Sequence, residues 1–131
     1  HARFGLPEVK WGIYPFGGAT AKLVDQIGYV HAMRLLLTAE MIDAASAERI
    51  GLINDIVPAN ELIDQALSLA ETIATNSPAA VQAVKQHISS GIAEATLARE
   101  SAEQAHGDRV RSSADFTEGV TAFREKRPPN Y

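Results

Sequence analysis

The sequence predicts a helix-rich α/β chain with two short strands. Apolar residues recur at helical spacing through most of the 131 residues, whereas only two brief segments have the pattern of strands. Two isolated short strands do not make a stable sheet, because each needs neighbouring strands and a covering face. We therefore expect the first part of the chain to be an incomplete piece of a larger sheet-containing fold, followed from residue 59 by a helical module.

The strands are predicted from alternation and from their boundaries. Ala2, Phe4 and Leu6 alternate with polar or small residues until Pro7 interrupts the pattern. The second predicted strand is the short apolar stretch LINDIVP, residues 52–58, which ends at a proline.

Helices before residue 59 are predicted from turn and cap residues. Gly17-Gly18 leads into a helix that we expect to end at Gly28, and a second helix is expected over 29–38. Asp43 is a typical N-cap for a short helix that ends before Gly51.

Four more helices are predicted after residue 59. One covers 59–77, with an apolar face opposite a polar one, and the next begins with Ser77 as cap and Pro78 in its first turn. In that helix Val81, Val84 and Ile88 are the expected buried stripe. A separate helix is expected over about 93–111, and the last ends before Pro128-Pro129.

Composition excludes several classes of function. A net charge of −4 disfavours general nucleic-acid binding, and the absence of cysteine excludes disulfides and thiol catalysis. The histidines have no zinc-site spacing, so no metal site is expected. No apolar run reaches the roughly 18 residues of a membrane span. We expect a soluble cytoplasmic protein that binds neither nucleic acid nor membrane.

Four segments carry a family resemblance. They are ARFGLPEVKWGIYPFGGATAKL, AMRLLLTAEMIDAASAERIGLINDIVP, SPAAVQAVKQ and EGVTAFREKRPP. In this order and spacing they resemble the C-terminal half of the crotonase family, the enoyl-CoA hydratase/isomerase superfamily. The resemblance implies that residues 1–58 are the last part of a crotonase spiral of ββα units. Residues 59–131 would then be the helical module for assembly and for covering the active site.

The resemblance implies one catalytic residue in this chain, Glu8. Local sequence alone favours a surface carboxylate after a proline. In the hydratases that the segment FG-x-PE resembles, this glutamate is one of two that flank the water added to an enoyl thioester. The second glutamate and both oxyanion-hole peptides belong to the N-terminal half, which these 131 residues do not contain.

Six further residues are implied to bind the substrate or its coenzyme A moiety: Trp11, Phe16, Gly17, Gly18, Phe123 and Lys126. Gly17-Gly18 would offer N–H groups to an anion, or would simply form a tight turn. Phe16 stands where family members commonly have glycine, which leaves the shape of the acyl pocket open. Phe123 either packs in the core of the last helix or borders a pocket, and Lys126 either reaches the coenzyme A nucleotide or is a solvated helix end.

The resemblance implies hydration of a 2-trans-enoyl-CoA in fatty-acid metabolism, with the coenzyme A thioester as substrate and no separate cofactor. It also implies the missing half of the fold as a partner and a homotrimer or dimer of trimers. Two alternatives stay open: another reaction of the family, isomerisation or thioester hydrolysis, and a non-catalytic helical assembly module or proteolytic remnant.

Overall fold

Helices dominate the computed structural model, which describes every residue from His1 to Tyr131. The elements in chain order are β1 (Arg3–Phe4), a 3₁₀ helix (Glu8–Trp11), α1 (Ala19–Thr38), β2 (Ile42–Asp43), α2 (Ala44–Arg49), α3 (Leu62–Ala74), α4 (Pro78–Arg111) and α5 (Ala114–Glu125). The predicted class, a helix-rich chain with two short strands, is confirmed.

The two strands pair with each other. Arg3 lies opposite Asp43 and Phe4 opposite Ile42 in an antiparallel ladder, and the Arg3 guanidinium donates a hydrogen bond to the Met41 carbonyl at 2.8 Å. The first predicted strand is therefore present but shorter. The prediction of a strand at 52–58 was wrong, because these residues form bends and irregular backbone. Residues 52–58 pair with neither strand of the two-stranded sheet, and without a partner for its backbone N–H and C=O groups an apolar run is not a strand.

Helix α1 contains the small core of the chain. Gly28 has non-helical angles, φ 77° and ψ 160°, so the helix expected to end there is interrupted at that glycine and resumes as the second predicted helix. Ala32, Leu35 and Leu36 form the buried cluster with Ile27. The core of the chain therefore lies on both sides of the Gly28 interruption.

Helix α4 is longer than predicted. The separate helices expected before residue 90 and over 93–111 are one helix of 34 residues. Ser89, Ser90 and Gly91 lower helix propensity at the junction without breaking it, because no proline removes a backbone donor there. Ser77 caps the helix as predicted, since its hydroxyl accepts the Ala80 N–H at 3.4 Å.

Large apolar faces on α3 and the first half of α4 have no partner in the chain. No residue of α3 is buried, and the expected buried stripe of α4 was wrong, since Val84 and Ile88 are 60% and 57% exposed. Only 12 of 131 residues are buried, fewer than a domain of this size ordinarily encloses. The helical periodicity identified the apolar faces correctly, but nothing within the chain covers them.

None of the helices combines the length and the apolar character that a membrane span requires.

Candidate functional site

Glu8 opens the 3₁₀ helix Glu8–Trp11, here called the Glu8 turn. Pro7 precedes it, and Gly12 ends it with φ 62°, after which the Ile13 N–H donates to the Glu8 carbonyl at 3.0 Å. The Glu8 Oε2 atom is buried and has no hydrogen-bond partner, and it is the only buried side-chain polar atom in this condition. The residue as a whole is half-buried. Leaving a buried polar atom unpaired costs on the order of 1–3 kcal/mol, which makes Glu8 a candidate for binding a group from outside the chain.

The last helix and the C-terminal residues hold the Glu8 turn from one side. Gly119 of α5 lies directly against the Trp11 carbonyl, so that a Cβ at this position would overlap it. The Tyr131 hydroxyl donates to the Lys10 carbonyl at 2.9 Å, and the Trp11 and Phe123 rings meet edge to face at 5.1 Å. No local sequence pattern predicts this contact between residues at opposite ends of the chain.

An ion pair shapes the C-terminal segment that carries Tyr131. The Arg127 guanidinium donates to both carboxylate oxygens of Glu118, at 2.6 Å and 3.0 Å, and the Asn130 N–H donates to the same carboxylate at 2.9 Å. These hydrogen bonds, with that from Arg127 the larger cause, lower the pKa of Glu118 from 4.5 to about 2. Partial burial raises the pKa of Tyr131, as do the carboxylates of Asp115 and Glu118, so its hydroxyl remains a donor.

The low pKa of Glu118 predicts how stability depends on pH. Because this pKa is lower in the folded state, the stabilisation is fully present above about 4.5 and is lost as the pH falls towards about 2. The melting temperature of Glu118→Gln should lie below that of the unmodified chain at neutral pH, and the gap should close near pH 2. The exposed Glu48→Gln is the matched control, and a gap of constant size across this range would contradict the account.

Three of the predicted binding residues line one basic and aromatic cleft of about 410 Å³. The residues of this basic cleft are Lys10, Trp11, Phe123, Lys126, Arg127 and Pro128. Phe123 is 62% exposed, so it does not pack in the core of this chain, and its ring lines the basic cleft instead. Lys126 ends α5 with φ 56°, which turns the chain so that Lys126 and Arg127 both face the cleft.

Phe16, Gly17 and Gly18 lie together in a different place, against α4. Both glycines have positive φ, 78° and 72°, so they form the tight turn that the sequence allowed. The Gly18 N–H donates to both carboxylate oxygens of Glu103, at 3.2 Å and 3.1 Å. This N–H is therefore already bonded to an anion of the chain itself. Phe16, Gly17 and Gly18 line a pocket with Glu103 and a second carboxylate, that of Glu100.

Sequence reasoning missed an apolar cleft of about 600 Å³. Its apolar lining comes from three parts of the chain and comprises Val9, Ile13, Pro15, Val24, Met33, Leu36, Leu37 and Val110. In the sequence, each of these apolar residues looks like an ordinary core position. The cleft becomes visible only when α1 packs against the α4–α5 junction.

Residues of the Glu8 turn line both clefts, although Glu8 itself lines neither. Val9 lines the apolar cleft, whereas Lys10 and Trp11 line the basic one. The predicted residues thus separate into one group around the Glu8 turn and a second group at the glycine turn. No group of three or more metal-ligating side chains is found in the structure.

The match to known proteins covers the entire chain. The model of the enoyl-CoA hydratase/isomerase family matches residues 1–131. The chain belongs to this family. The resemblance that the four sequence segments carry is confirmed over the full length of the chain.

Individual members of the enoyl-CoA hydratase/isomerase family agree with this assignment. The enoyl-CoA hydratase EchA19 of Mycobacterium tuberculosis is 42% identical over 99% of this chain and 49% of its own length. The short-chain-enoyl-CoA hydratase of Clostridium acetobutylicum is 42% identical over 97% of this chain and 49% of its own length. A carnitinyl-CoA hydratase structure from Mycobacterium avium superposes with a TM-score of 0.87 at 38% identity, covering 99% of this chain and 51% of that one. The chain spans about half the length of the relatives it matches.

Proposed function

We propose that residues 1–131 are the C-terminal half of an enoyl-CoA hydratase, in which Glu8 is one of the two catalytic carboxylates. The observation that carries the proposal is the buried, unpartnered Oε2 of Glu8, on a turn whose next three residues line an apolar and a basic cleft. An acyl-coenzyme A thioester has a matching order of parts: an anionic nucleotide, a reacting thioester and an apolar chain.

The basic cleft suits the coenzyme A end of such a substrate. Lys10 and Lys126 supply point charges for phosphate, and the Trp11 and Phe123 rings supply flat apolar surfaces for a purine. Arg127 is already paired with Glu118 and Glu125, so Lys10 and Lys126 are the cations to which we assign the phosphates.

The apolar cleft suits the acyl chain. Its walls are mainly aliphatic, and burial of each methylene of a substrate there contributes about 0.8 kcal/mol. With the nucleotide and the chain in the two clefts, the double bond of the thioester would lie at the Glu8 turn. The coenzyme A thioester is the substrate, and we assign no separate cofactor.

Hydration of the double bond at the Glu8 turn needs two proton transfers. Water oxygen bonds to the β-carbon while one carboxylate takes its proton, and the electron pair of the double bond moves towards the thioester oxygen. The α-carbon then receives a proton from a carboxylic acid, which completes the addition of one water. Glu8 performs one of these two transfers and the second glutamate performs the other.

The other half of the fold must supply what this chain lacks. The second glutamate and the oxyanion donors would come from the upstream half, which would also extend the β1–β2 pair. We assign the uncovered faces of α3 and α4 to contacts with that half and with further copies, in a homotrimer or a dimer of trimers. We place the reaction in cytoplasmic fatty-acid β-oxidation.

The test uses a completed protein. By this term we mean residues 1–131 joined to the upstream half of the fold, from the same gene where it encodes one or from the Clostridium acetobutylicum hydratase. The completed protein should hydrate crotonyl-CoA, followed as loss of enoyl-thioester absorbance. Residues 1–131 alone should not, because loss of even one oxyanion donor costs about 10²–10³ in rate. Turnover by the isolated chain, or a folded completed protein without turnover, would contradict the proposal.

The alternatives give different outcomes in the same assay. An isomerase would move the double bond of a 3-enoyl-CoA without adding water, and a hydrolase would release free coenzyme A thiol. A non-catalytic assembly module would restore the oligomer of the completed protein and none of these reactions. The uncovered apolar face of α3 is the observation that favours an assembly role, and that role is compatible with catalysis by Glu8.

A further inference from the structure

A notch on α4 receives the ring of Phe16. Gly107 is buried, and a Cβ built on it would overlap the Phe16 ring atoms. Gly91, sixteen residues earlier in the same helix, has no atom within 4 Å of such a Cβ. A glycine in the middle of a helix lowers the stability of the helix relative to alanine. At position 107 the Phe16 ring requires the space that glycine leaves, whereas at position 91 no neighbouring group requires it.

Two neighbouring contacts lie on the same face of α4. Glu103, Gly107 and Arg111 are each four residues apart, which places them in one row along the helix. Glu103 accepts the Gly18 N–H, and the Arg111 guanidinium lies 5.3 Å from the centre of the Phe16 ring. These three residues of α4 therefore contact the preceding loop at Phe16 and at Gly18.

The segment before Phe16 is held by the same helix. The Tyr14 ring meets Phe16 edge to face at 5.4 Å and stacks on His106 of α4 at 6.2 Å. Ile13 and Pro15 of this loop line the apolar cleft. One side of the loop is thus fastened to α4, while its other side forms part of the wall beside the Glu8 turn.

We propose that Phe16 is a positioning residue: its ring, seated in the Gly107 notch, fixes the Ile13–Gly18 loop and thereby the cleft wall, and does not itself contact the substrate. The kinetic part of this inference rests on the proposed function, whereas the coupling between Phe16 and Gly107 does not. This places Phe16 outside the substrate-binding set in which the sequence had put it.

The first measurement tests the coupling without any reaction. Gly107→Ala should lower the melting temperature of the completed protein and speed hydrogen exchange in the peptide covering residues 13–18, because the displaced ring loosens the loop. Gly91→Ala, the matched control, should raise the melting temperature. The double variant Phe16→Ala/Gly107→Ala should recover part of the loss, since the new methyl group then fills space that the ring has left.

The second measurement separates positioning from direct contact. Phe16→Ala should lower kcat for crotonyl-CoA by about tenfold or more through misplacement of the loop, with KM changed less than about threefold. The swapped variant Phe16→Gly/Gly107→Phe, which supplies the ring from α4, should recover most of kcat.

The results that would contradict the positioning role of Phe16 differ from those that would contradict the proposed function. A raised KM with unchanged kcat in Phe16→Ala would make the ring a substrate contact and overturn the inference. So would a Gly107→Ala protein as stable as Gly91→Ala, or a folded swapped variant with no recovery of kcat. If the stability and exchange results appear as expected but no variant, including the unmodified protein, hydrates crotonyl-CoA, the proposed function fails while the Phe16–Gly107 coupling stands.

Discussion

Replacing Glu8 by glutamine in the completed protein is expected to lower kcat for crotonyl-CoA hydration by about 10²–10⁴-fold, the usual range for loss of a general acid or base. Glutamine has the same shape, and its amide can rotate to keep an oxygen in the buried position of Oε2. What it cannot do is exchange a proton at neutral pH. Binding in the two flanking clefts is unaffected, so KM should stay within about threefold.

A control for this variant is Glu61→Gln, which removes an exposed carboxylate at the start of α3. It should retain the kcat of the unmodified protein. Glu8→Gln with kcat within about twofold of that value, in a protein whose melting temperature is unchanged, would remove Glu8 from the catalytic pair.

Replacing Gly119 by alanine is expected to detach α5 from the Glu8 turn. The added Cβ would overlap the Trp11 carbonyl, and overpacking of this kind costs about 1–3 kcal/mol. Helix propensity alone would make the alanine variant more stable by about 1 kcal/mol. We expect the overlap to outweigh this gain, so that the variant is less stable than the unmodified protein. Trp11 is the only tryptophan of the 131 residues. Its indole ring should become more accessible to acrylamide, which should then quench its fluorescence more strongly.

Two comparisons make the Gly119 result specific. Tyr131→Phe removes only the hydrogen bond to the Lys10 carbonyl and should raise Trp11 quenching less than Gly119→Ala does. Gly91→Ala, which meets open space, should leave quenching unchanged. A Gly119→Ala protein that is more stable than the unmodified one, with Trp11 equally protected, would show that α5 does not hold the Glu8 turn.

Helix positions were largely predictable because their signals are local. Asp43 accepts the Ser46 N–H at 2.8 Å and Ser77 accepts that of Ala80, as cap residues at those positions predict. Gly28 interrupts α1 where expected. These features depend on a few neighbouring residues, so a single sequence contains them.

The features that were not predictable depend on contacts between distant residues. Strand β2 forms at Ile42–Asp43 because β1 is adjacent there in space, although the 52–58 run is more apolar. The Gly107 notch and the Tyr131 hydrogen bond each join segments far apart in the chain. Buried and unpartnered apolar faces have the same periodicity, which is why Val84 and Ile88 were assigned to a core that this chain does not contain.

The candidate site residues could be named from the sequence, but their arrangement could not. Glu8, Trp11 and Lys126 were named because their types and spacing resemble a family pattern, whereas the cleft that Trp11 and Lys126 share is seen only in the structure. Phe16 could not be placed, since the same position admits a ring that points to the substrate or to α4. The direction follows from Gly107, ninety-one positions later in the chain.

The most direct test of the central claim is the fate of water oxygen. The completed protein, given crotonyl-CoA in water labelled with heavy oxygen, should form 3-hydroxybutyryl-CoA with one label on the β-hydroxyl, and Glu8→Gln should form it at least about 10²-fold more slowly. Label found only in a released free acid would indicate thioester hydrolysis. That outcome, an unlabelled isomerised thioester, or equal rates for Glu8 and its glutamine variant would contradict the account.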